Sequence, residues 1–567
     1  MATQPALALG AAIVTALSGW ASAEAATPPA QRTPAQPALI RSCAELPTRF
    51  SYPQTSLQVA TVVPGGSASV AGQPIGPHCL VQGKMHERVS PVDGQTYAIG
   101  FEMRLPADWN GRFLYQGNGG IDGAVVPAFG AVNGGAAATN ALAQGFAVIS
   151  SDAGHSGAQN PLFGLDPQAR LDYGYQAVGK LTPMAKALIR SAYDKDPDYS
   201  YIGGCSNGGR HVLVAAARYA DQYDGFLAGD PGYNLPQSAL AQLYAVQQYS
   251  RVTTSQDLAS GFTLPERQLV ANAVLAKCDA LDGAKDGLIQ STAACQKAFK
   301  LSRDVPTCKG ERDGTCLSAD QKDVIGKLFA GVRDAKGKPL SASFPFDAGI
   351  PGANWADWKF VASITNRDPP AMAFIFQTPP ADASVLRDMR GFAMNFDVNR
   401  DGPKIYATAA PYNEASMSFM TPPNATQMAD LKRTGGKLLV YHGTSDPIFS
   451  SNDTAAWYDG LRKSSRGDAS GFARYYEVPG MNHCRGGMAT DQFDMLTSLV
   501  NWVEKGEVPE AIVATARGAG NPAGVNPELP AGWAADRSRP LCPYPQIARY
   551  DGKGDMEKAS SFSCKRP

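Results

Sequence analysis

Gly203-Gly204-Cys205-Ser206-Asn207-Gly208-Gly209 decides how this chain is read. The stretch follows Tyr199-Ser200-Tyr201-Ile202, which reads as the end of a strand. It precedes residues 210–219, where Val212, Leu213 and the alanines after them read as a helix. Residues 204–208 fit the pattern G-x-S-x-G. A serine on a sharp strand-to-helix turn is lifted clear of its sheet, and the helix start presents backbone N–H groups to an oxyanion developing nearby. Glycines on either side keep other side chains out of the crowded turn. The same letters also describe a plain glycine-rich turn with an incidental serine. The two readings part on whether a base and an acid follow later in the chain.

The chain has 567 residues, enough for one large domain with an insertion or for several domains. Lys plus Arg and Asp plus Glu are equal at 51 each, which argues against a nucleic-acid binder. Residues 6–17 form a short apolar run and Ala21-Ser22-Ala23 fits a cleavage site. Residues 1–23 are therefore expected to be an export signal, although no Lys or Arg precedes the apolar run. The expected location is secreted or periplasmic. No other stretch is long and apolar enough to predict a membrane span. Nothing in the sequence indicates an oligomeric state.

Ten cysteines in an exported chain predict disulfides. The absence of a C-x-x-C pair weakens zinc and redox readings. Spacing favours neighbouring pairs: Cys43 with Cys79, Cys278 with Cys295, Cys308 with Cys316, and Cys542 with Cys564. Cys205 and Cys484 are left over.

Taken in order, residues 59–63, 97–105 and 112–116 have strand character, and the last runs into Gly117-Asn118-Gly119-Gly120. A glycine cluster at a strand end lets backbone approach a ligand, and Gly119 or Gly120 is a candidate second oxyanion donor beside Asn207. Residues 145–150 are a buried-strand run ending near Asp152 and His155, which read as groups that satisfy loop backbone. A helix over 173–193, the strand before the elbow, and a strand over 224–228 complete an alternation that predicts a mostly parallel α/β sheet.

From residue 234 to residue 421 that alternation is lost. This part is expected to be an inserted lid domain, flanked by a catalytic domain made of residues 24–233 and 422–567. Trp355, Trp358, Phe360, Phe374 and Phe376 make its later part aromatic; most are expected in the core and some along a pocket. Within it, Cys278-Asp279-Ala280-Leu281-Asp282-Gly283-Ala284-Lys285-Asp286-Gly287-Leu288 gathers three aspartates. Asp279, Asp282 and Asp286, with the carbonyls of Ala284 and Leu288, suit a hard cation such as calcium. The spacing is not that of an EF-hand, and the stretch also fits a solvated Asp/Gly turn.

The sheet pattern resumes with residues 436–441, followed by His442-Gly443-Thr444-Ser445-Asp446. Residues 474–478 form another strand, followed by Pro479-Gly480-Met481-Asn482-His483-Cys484, and a helix over 490–504 with Thr490 as its cap closes the domain. Asp446 and His483 thus follow the last two strands. The order Ser206, Asp446, His483 is that of α/β-hydrolase triads. Cys205 precedes the serine and Cys484 follows the histidine, so a bridge between them would hold those loops together across the chain. Two buried free thiols are the alternative.

Gly-Cys-Ser-Asn-Gly-Gly at 204–209, Cys-Asp-Ala-Leu-Asp-Gly at 278–283, Tyr-His-Gly-Thr-Ser-Asp at 441–446 and Pro-Gly-Met-Asn-His-Cys at 479–484 together resemble the tannase/feruloyl esterase family. Leu-Cys-Pro-Tyr-Pro-Gln at 541–546 is similar to the bacterial branch that includes hydrolases of terephthalate monoesters. The resemblance implies an α/β-hydrolase fold with a large lid, a Ser206–Asp446–His483 triad, a Cys205–Cys484 bridge and a calcium ion in the lid loop. It also implies a small aromatic ester as substrate, galloyl, feruloyl or terephthalate, selected by the lid. There residues 364–370 are short and Pro-rich for the terephthalate branch, and Arg367 and Arg390 are candidates to read a carboxylate by composition alone. A non-catalytic binder of aromatic acids and an esterase of carbohydrate-linked acyl groups are the alternatives.

Overall fold

The computed structural model describes residues 33–132, 135 and 138–567, together with Met1 and Ala2, the side chains of 363–366 excepted. The expected export signal, beyond its first two residues, lies outside the described residues.

A nine-stranded sheet organises the chain. In chain order its strands are β1 (Thr55–Val63), β2 (His78–Val89), β3 (Thr96–Pro106), β4 (Arg112–Gly117), β5 (Ala147–Ser151), β6 (Tyr199–Cys205), β7 (Gly225–Gly229), β8 (Lys437–Gly443) and β9 (Ala473–Val478). Across the sheet they run β9-β8-β7-β6-β4-β5-β3-β2-β1. Neighbours from β9 to β5 are parallel. The last three strands continue the sheet in antiparallel fashion. The parallel part therefore ends in a three-stranded antiparallel edge that includes the twelve-residue β2, where polar residues interrupt the apolar ones.

Strand side chains alternate between two faces, and the core follows that period. Leu438 and Val440 of β8 join one apolar cluster, while Leu439 and Tyr441 join the other. Burial on both faces is why β8 reads as a continuous apolar run. Helix α1 (Ala177–Tyr193) packs Leu181, Leu188 and Ile189 into the first cluster. A π-helical turn, Asp172–Gln176, precedes it, so the α-helix starts four residues later than its apolar pattern predicts. Helix α2 (Asn207–Arg218) leaves the elbow with its first ten residues buried.

Between β7 and β8 no strand of the main sheet is contributed. This insertion contains α3 (Leu235–Ser250), α4 (Leu264–Cys278) and α5 (Ala319–Ala330), followed by short helical turns through residue 406. Helix α4 begins with a reciprocal capping box, Thr263 with Glu266. After β8, α6 (Ser451–Ser464) leads to β9, and α7 (Met495–Lys505) packs Leu496 and Leu499 into the second cluster. The cap of α7 is Asp494, whose side chain accepts from Thr497 N, and not Thr490, which is buried upstream. The helix begins only at Met495, so its first free N–H groups lie next to Asp494 and a full turn past Thr490.

The cysteines pair as Cys43–Cys79, Cys205–Cys484, Cys278–Cys295, Cys308–Cys316 and Cys542–Cys564. The last pins the terminal ribbon Ile547–Tyr550 with Phe562–Lys565.

Candidate active site

The parallel strands deliver their functional residues at their C-terminal ends, the usual position in open α/β sheets. Ser206 follows β6 at φ 66° and ψ −128°, a region that a non-glycine residue occupies only when its surroundings impose it. The surroundings are tight. A Cβ on Gly204 or on Gly208 would stand 2.5 or 2.3 Å from the Gly117 carbonyl oxygen, so both flanking positions require glycine. Ser206 N donates to Gly229 O at 2.9 Å, tying the turn to the neighbouring strand.

The serine meets the other two groups. Ser206 Oγ lies 2.8 Å from His483 Nε2, and His483 Nδ1 lies 2.7 Å from Asp446 Oδ2. A carboxylate only accepts, so Nδ1 donates to it and Nε2 is left to accept the serine proton. Asp446 Oδ1 accepts from Ile448 N and Phe449 N at 2.7 and 3.0 Å. Burial alone would raise this carboxyl; His483 and His442 beside it hold it well below the usual carboxylate range. Directly behind the pair, the Cys205–Cys484 bridge sets the two Cα atoms 6.1 Å apart across 279 residues of chain. Cys484 itself has φ 62°.

The glycine turn after β4 lies across from the serine. A Cβ on Gly119 would stand 3.8 Å from Ser206 Cβ, and Gly120 lines the same cleft. Asn207 begins α2, where the first backbone N–H groups have no acceptor within the helix. Asp152 and His155 stay out of the site. Asp152 Oδ1 accepts from Gly100 N and Gly154 N, and His155 Nε2 donates to Ile121 O.

Above Ser206 is a narrow cleft lined by Ile121, Leu235, Phe376, Ile448 and Phe449, with Trp358 and Arg367 from the insertion. Trp358 and Phe449 meet the His483 ring edge-to-face at 5.1 and 5.3 Å. The Arg367 guanidinium lies 4.5 Å from the Trp358 ring centroid. Arg390 is elsewhere: it is exposed and donates to Gln256 O. Of the five insertion aromatics, Trp358 and Phe376 reach the cleft. Trp355 and Phe360 pack against each other, and Phe360 meets Tyr249. Phe374 is fully buried.

Three buried charged groups behind the site carry no mark in the sequence beyond lying near a strand end or in the insertion. Asp230, just past β7, accepts from Gly443 N at 2.7 Å. Burial pushes it up to about 6 against the pull of His442. Burial opposes charge on His442, but Asp446 and Asp230 hold it above the ordinary histidine value. Lys359, next to Trp358, is drawn down to about 8 by burial, with Asp446 and Asp368 opposing.

Two sets of three potential metal ligands converge among the described residues: Asp230 with His442 and Asp446, and Asp230 with Cys205 and Cys484, whose sulfurs are bonded to each other. The loop at 279–288 is spread more widely. Asp279 Oδ1 accepts from Asp286 N and Gly287 N, Asp282 Oδ1 from Ala284 N, and Asp286 Oδ1 from Leu288 N. The other oxygen of Asp286 pairs with the buried Arg539. Asp282 Oδ2 is buried with no hydrogen-bond partner among the described residues, and burial pushes this carboxyl up to about 7. An orphaned buried carboxylate oxygen in an all-oxygen loop fits a hard cation.

A family model described as tannase and feruloyl esterase matches residues 79–565. The chain is 37% identical over 550 residues to mono(2-hydroxyethyl) terephthalate hydrolase of Piscinibacter sakaiensis, covering 90% of this chain and 89% of that protein. It is 26% identical over 490 residues to a probable feruloyl esterase B-1 of Neosartorya fischeri, covering 82% of each. The crystal structure of feruloyl esterase B from Aspergillus oryzae superposes with a TM-score of 0.71 at 22% identity, over 92% of this chain and 99% of that one.

Proposed function

The chain belongs to the tannase and feruloyl esterase family of carboxylic ester hydrolases, and from that premise we propose that it cleaves small aromatic esters through an acyl-enzyme on Ser206. The observation that carries this reading is the continuous Ser206–His483–Asp446 hydrogen-bonded line at 2.8 and 2.7 Å. Ser206 attacks the ester carbonyl while neutral His483 takes its proton. Asp446 orients the imidazole and stabilises its charged form. The N–H of Asn207 and one from Gly119 or Gly120 receive the oxyanion, each donor contributing about 3–4 kcal/mol. His483 then returns the proton to the leaving alcohol, and water, deprotonated by the same histidine, releases the acid.

The acyl group is proposed to lie between Trp358 and Phe449, beside the serine. Arg367 adds a positive charge over the Trp358 face, which favours an acid carrying a second anionic group, as a terephthalate monoester does. Replacing Arg367 with Leu is expected to lower kcat/KM for mono(2-hydroxyethyl) terephthalate about 10- to 100-fold through KM, the scale of one charged hydrogen-bonded contact. Methyl ferulate, which lacks the charge, changes less than threefold. Ranking these two esters and methyl gallate by kcat/KM tests the whole proposal, and a protein inert on all three would refute it.

The insertion, residues 234–421, is proposed to act as the lid that carries Trp358 and Arg367. Its loop is proposed to hold calcium through Asp279, Asp282, Asp286 and the carbonyls of Ala284 and Leu288, in a structural role. Saturating calcium at a hundredfold its Kd contributes about 2.7 kcal/mol. Chelation is accordingly expected to lower Tm, calcium to restore it and magnesium not to. Asp282→Ala removes that response. Five disulfides, and no helix among the described residues long and apolar enough to cross a membrane, support a secreted or periplasmic enzyme.

A further inference from the structure

We infer that Asp122 is a positioning residue that locks the two halves of the oxyanion hole to each other; the inference rests on the serine-esterase reading above. The two proposed donors come from separate elements, Gly119 or Gly120 from the turn after β4 and Asn207 from the start of α2. An oxyanion hole works only while its donors keep a fixed distance, since a misplacement of about 1 Å can cost a hundredfold in rate. Some contact must therefore set that distance, and one buried carboxylate spans the gap.

Asp122 follows the glycine turn by two residues, with its side chain 1% exposed. Its Oδ2 accepts from Asn207 Nδ2 at 2.8 Å and from His211 Nε2 at 2.8 Å. Both donors lie on α2, one turn apart. The other end of the Asn207 amide is held too, because its Oδ1 accepts from Arg210 Nε at 2.6 Å. Arg210 is in turn fixed by Gly174 O and Tyr173 O at 2.6 and 3.0 Å. Its Nη2 lies 3.1 Å from both ring nitrogens of His211, and because a carboxylate only accepts, His211 Nε2 is the atom that donates to Asp122. Burial and the neighbouring Arg210 keep His211 below its ordinary pKa despite Asp122, so it serves here as a neutral relay.

The loop side is built to match. Asp122 sits at φ 52°, a left-handed conformation that aspartate adopts only when its surroundings demand it. That bend turns the carboxylate under α2. The turn's own carbonyls are held from outside: Gly120 O by Tyr173, Ile121 O by His155 and Asp122 O by Asn160. His155, read from the sequence as a group that satisfies loop backbone, does so here as part of this cradle. The residue after the nucleophile acts twice, its backbone N–H facing the oxyanion and its side chain measuring the distance to the other donor.

The test uses the full-length enzyme with Asp122→Ala, Asn207→Ala and the double variant. Asn207→Ala keeps the backbone N–H, so a purely backbone role predicts no loss. Three readouts are taken: kcat and KM on methyl ferulate, inhibition by phenylboronic acid, which forms a tetrahedral adduct on the serine, and inhibition by benzoate, which does not. Each single variant is expected to lose about 10- to 100-fold in kcat with KM within threefold. Phenylboronate affinity falls by the same factor, benzoate affinity stays, and the double variant is no worse than the poorer single. Should Asp122→Ala fail to fold, Asn207→Ala decides alone. The inference is overturned by kcat within twofold of wild type in Asn207→Ala, by a kcat loss without a matching phenylboronate loss, or by losses that multiply. A wild-type protein inert on the ester sinks the proposed function instead.

Discussion

Ser206→Ala is expected to give a folded protein whose kcat on methyl ferulate is about 10⁴- to 10⁶-fold lower than that of the parent. The substitution removes one oxygen from a position already held open by Gly204 and Gly208, so the turn keeps its shape and Tm moves little. What is lost is the covalent step. The hole and the cleft remain, and residual rate above that of water reports their contribution. His483→Ala is expected to fall nearly as far, and the pair together no further, because serine and base act as one unit. Retention of more than a tenth of the parent rate in Ser206→Ala would place the nucleophile elsewhere.

Replacing both Cys205 and Cys484 with Ser is expected to produce the largest stability loss of any disulfide removal in this chain. The bridge spans 279 residues, against 36, 17, 8 and 22 for the others. Loop-closure entropy grows with the logarithm of that span, giving about 5.6 kcal/mol here against roughly 2.5–4 for the shorter ones. The functional loss has a different origin. The histidine loop turns at Cys484, in a left-handed conformation, and is anchored at that residue to the elbow. Without the anchor the Ser206–His483 hydrogen bond is one arrangement among several. Thermal denaturation and kcat measured on the same variant separate the two effects, and an unchanged kcat in folded protein would show that packing alone holds the pair.

The sheet and the Ser206–His483–Asp446 line were legible for a common reason. Parallel strands buried on both faces leave unbroken apolar runs, as in β8, and their C-terminal ends mark where to look for polar residues. Three such residues in one known order constrain each other far more than any single motif does. The antiparallel β2 was illegible because its run from Gly83 to Arg88 is mostly polar, and its partners, not its own pattern, make it a strand. Insertion residues were illegible in another way. Trp358 and Arg367 occupy an irregular stretch of π-helical turns, where no period assigns a face, so composition could nominate Arg367 and Arg390 equally and only their surroundings separate them. Asp122 and its partners on α2 lie 85 and 89 residues apart in the chain, and each is an unremarked polar residue by itself.

The bridge beside Ser206 and His483 also has a history set by the order in which its two ends are made. The elbow is made first, and 277 residues separate it from the histidine, a delay of roughly 14–55 s at ordinary synthesis rates of about 5–20 residues per second. Even a finished chain lacks its anchor until an oxidising compartment forms the bond. Synthesis order and redox environment together determine when the elbow and the histidine loop gain the covalent link that ties one to the other.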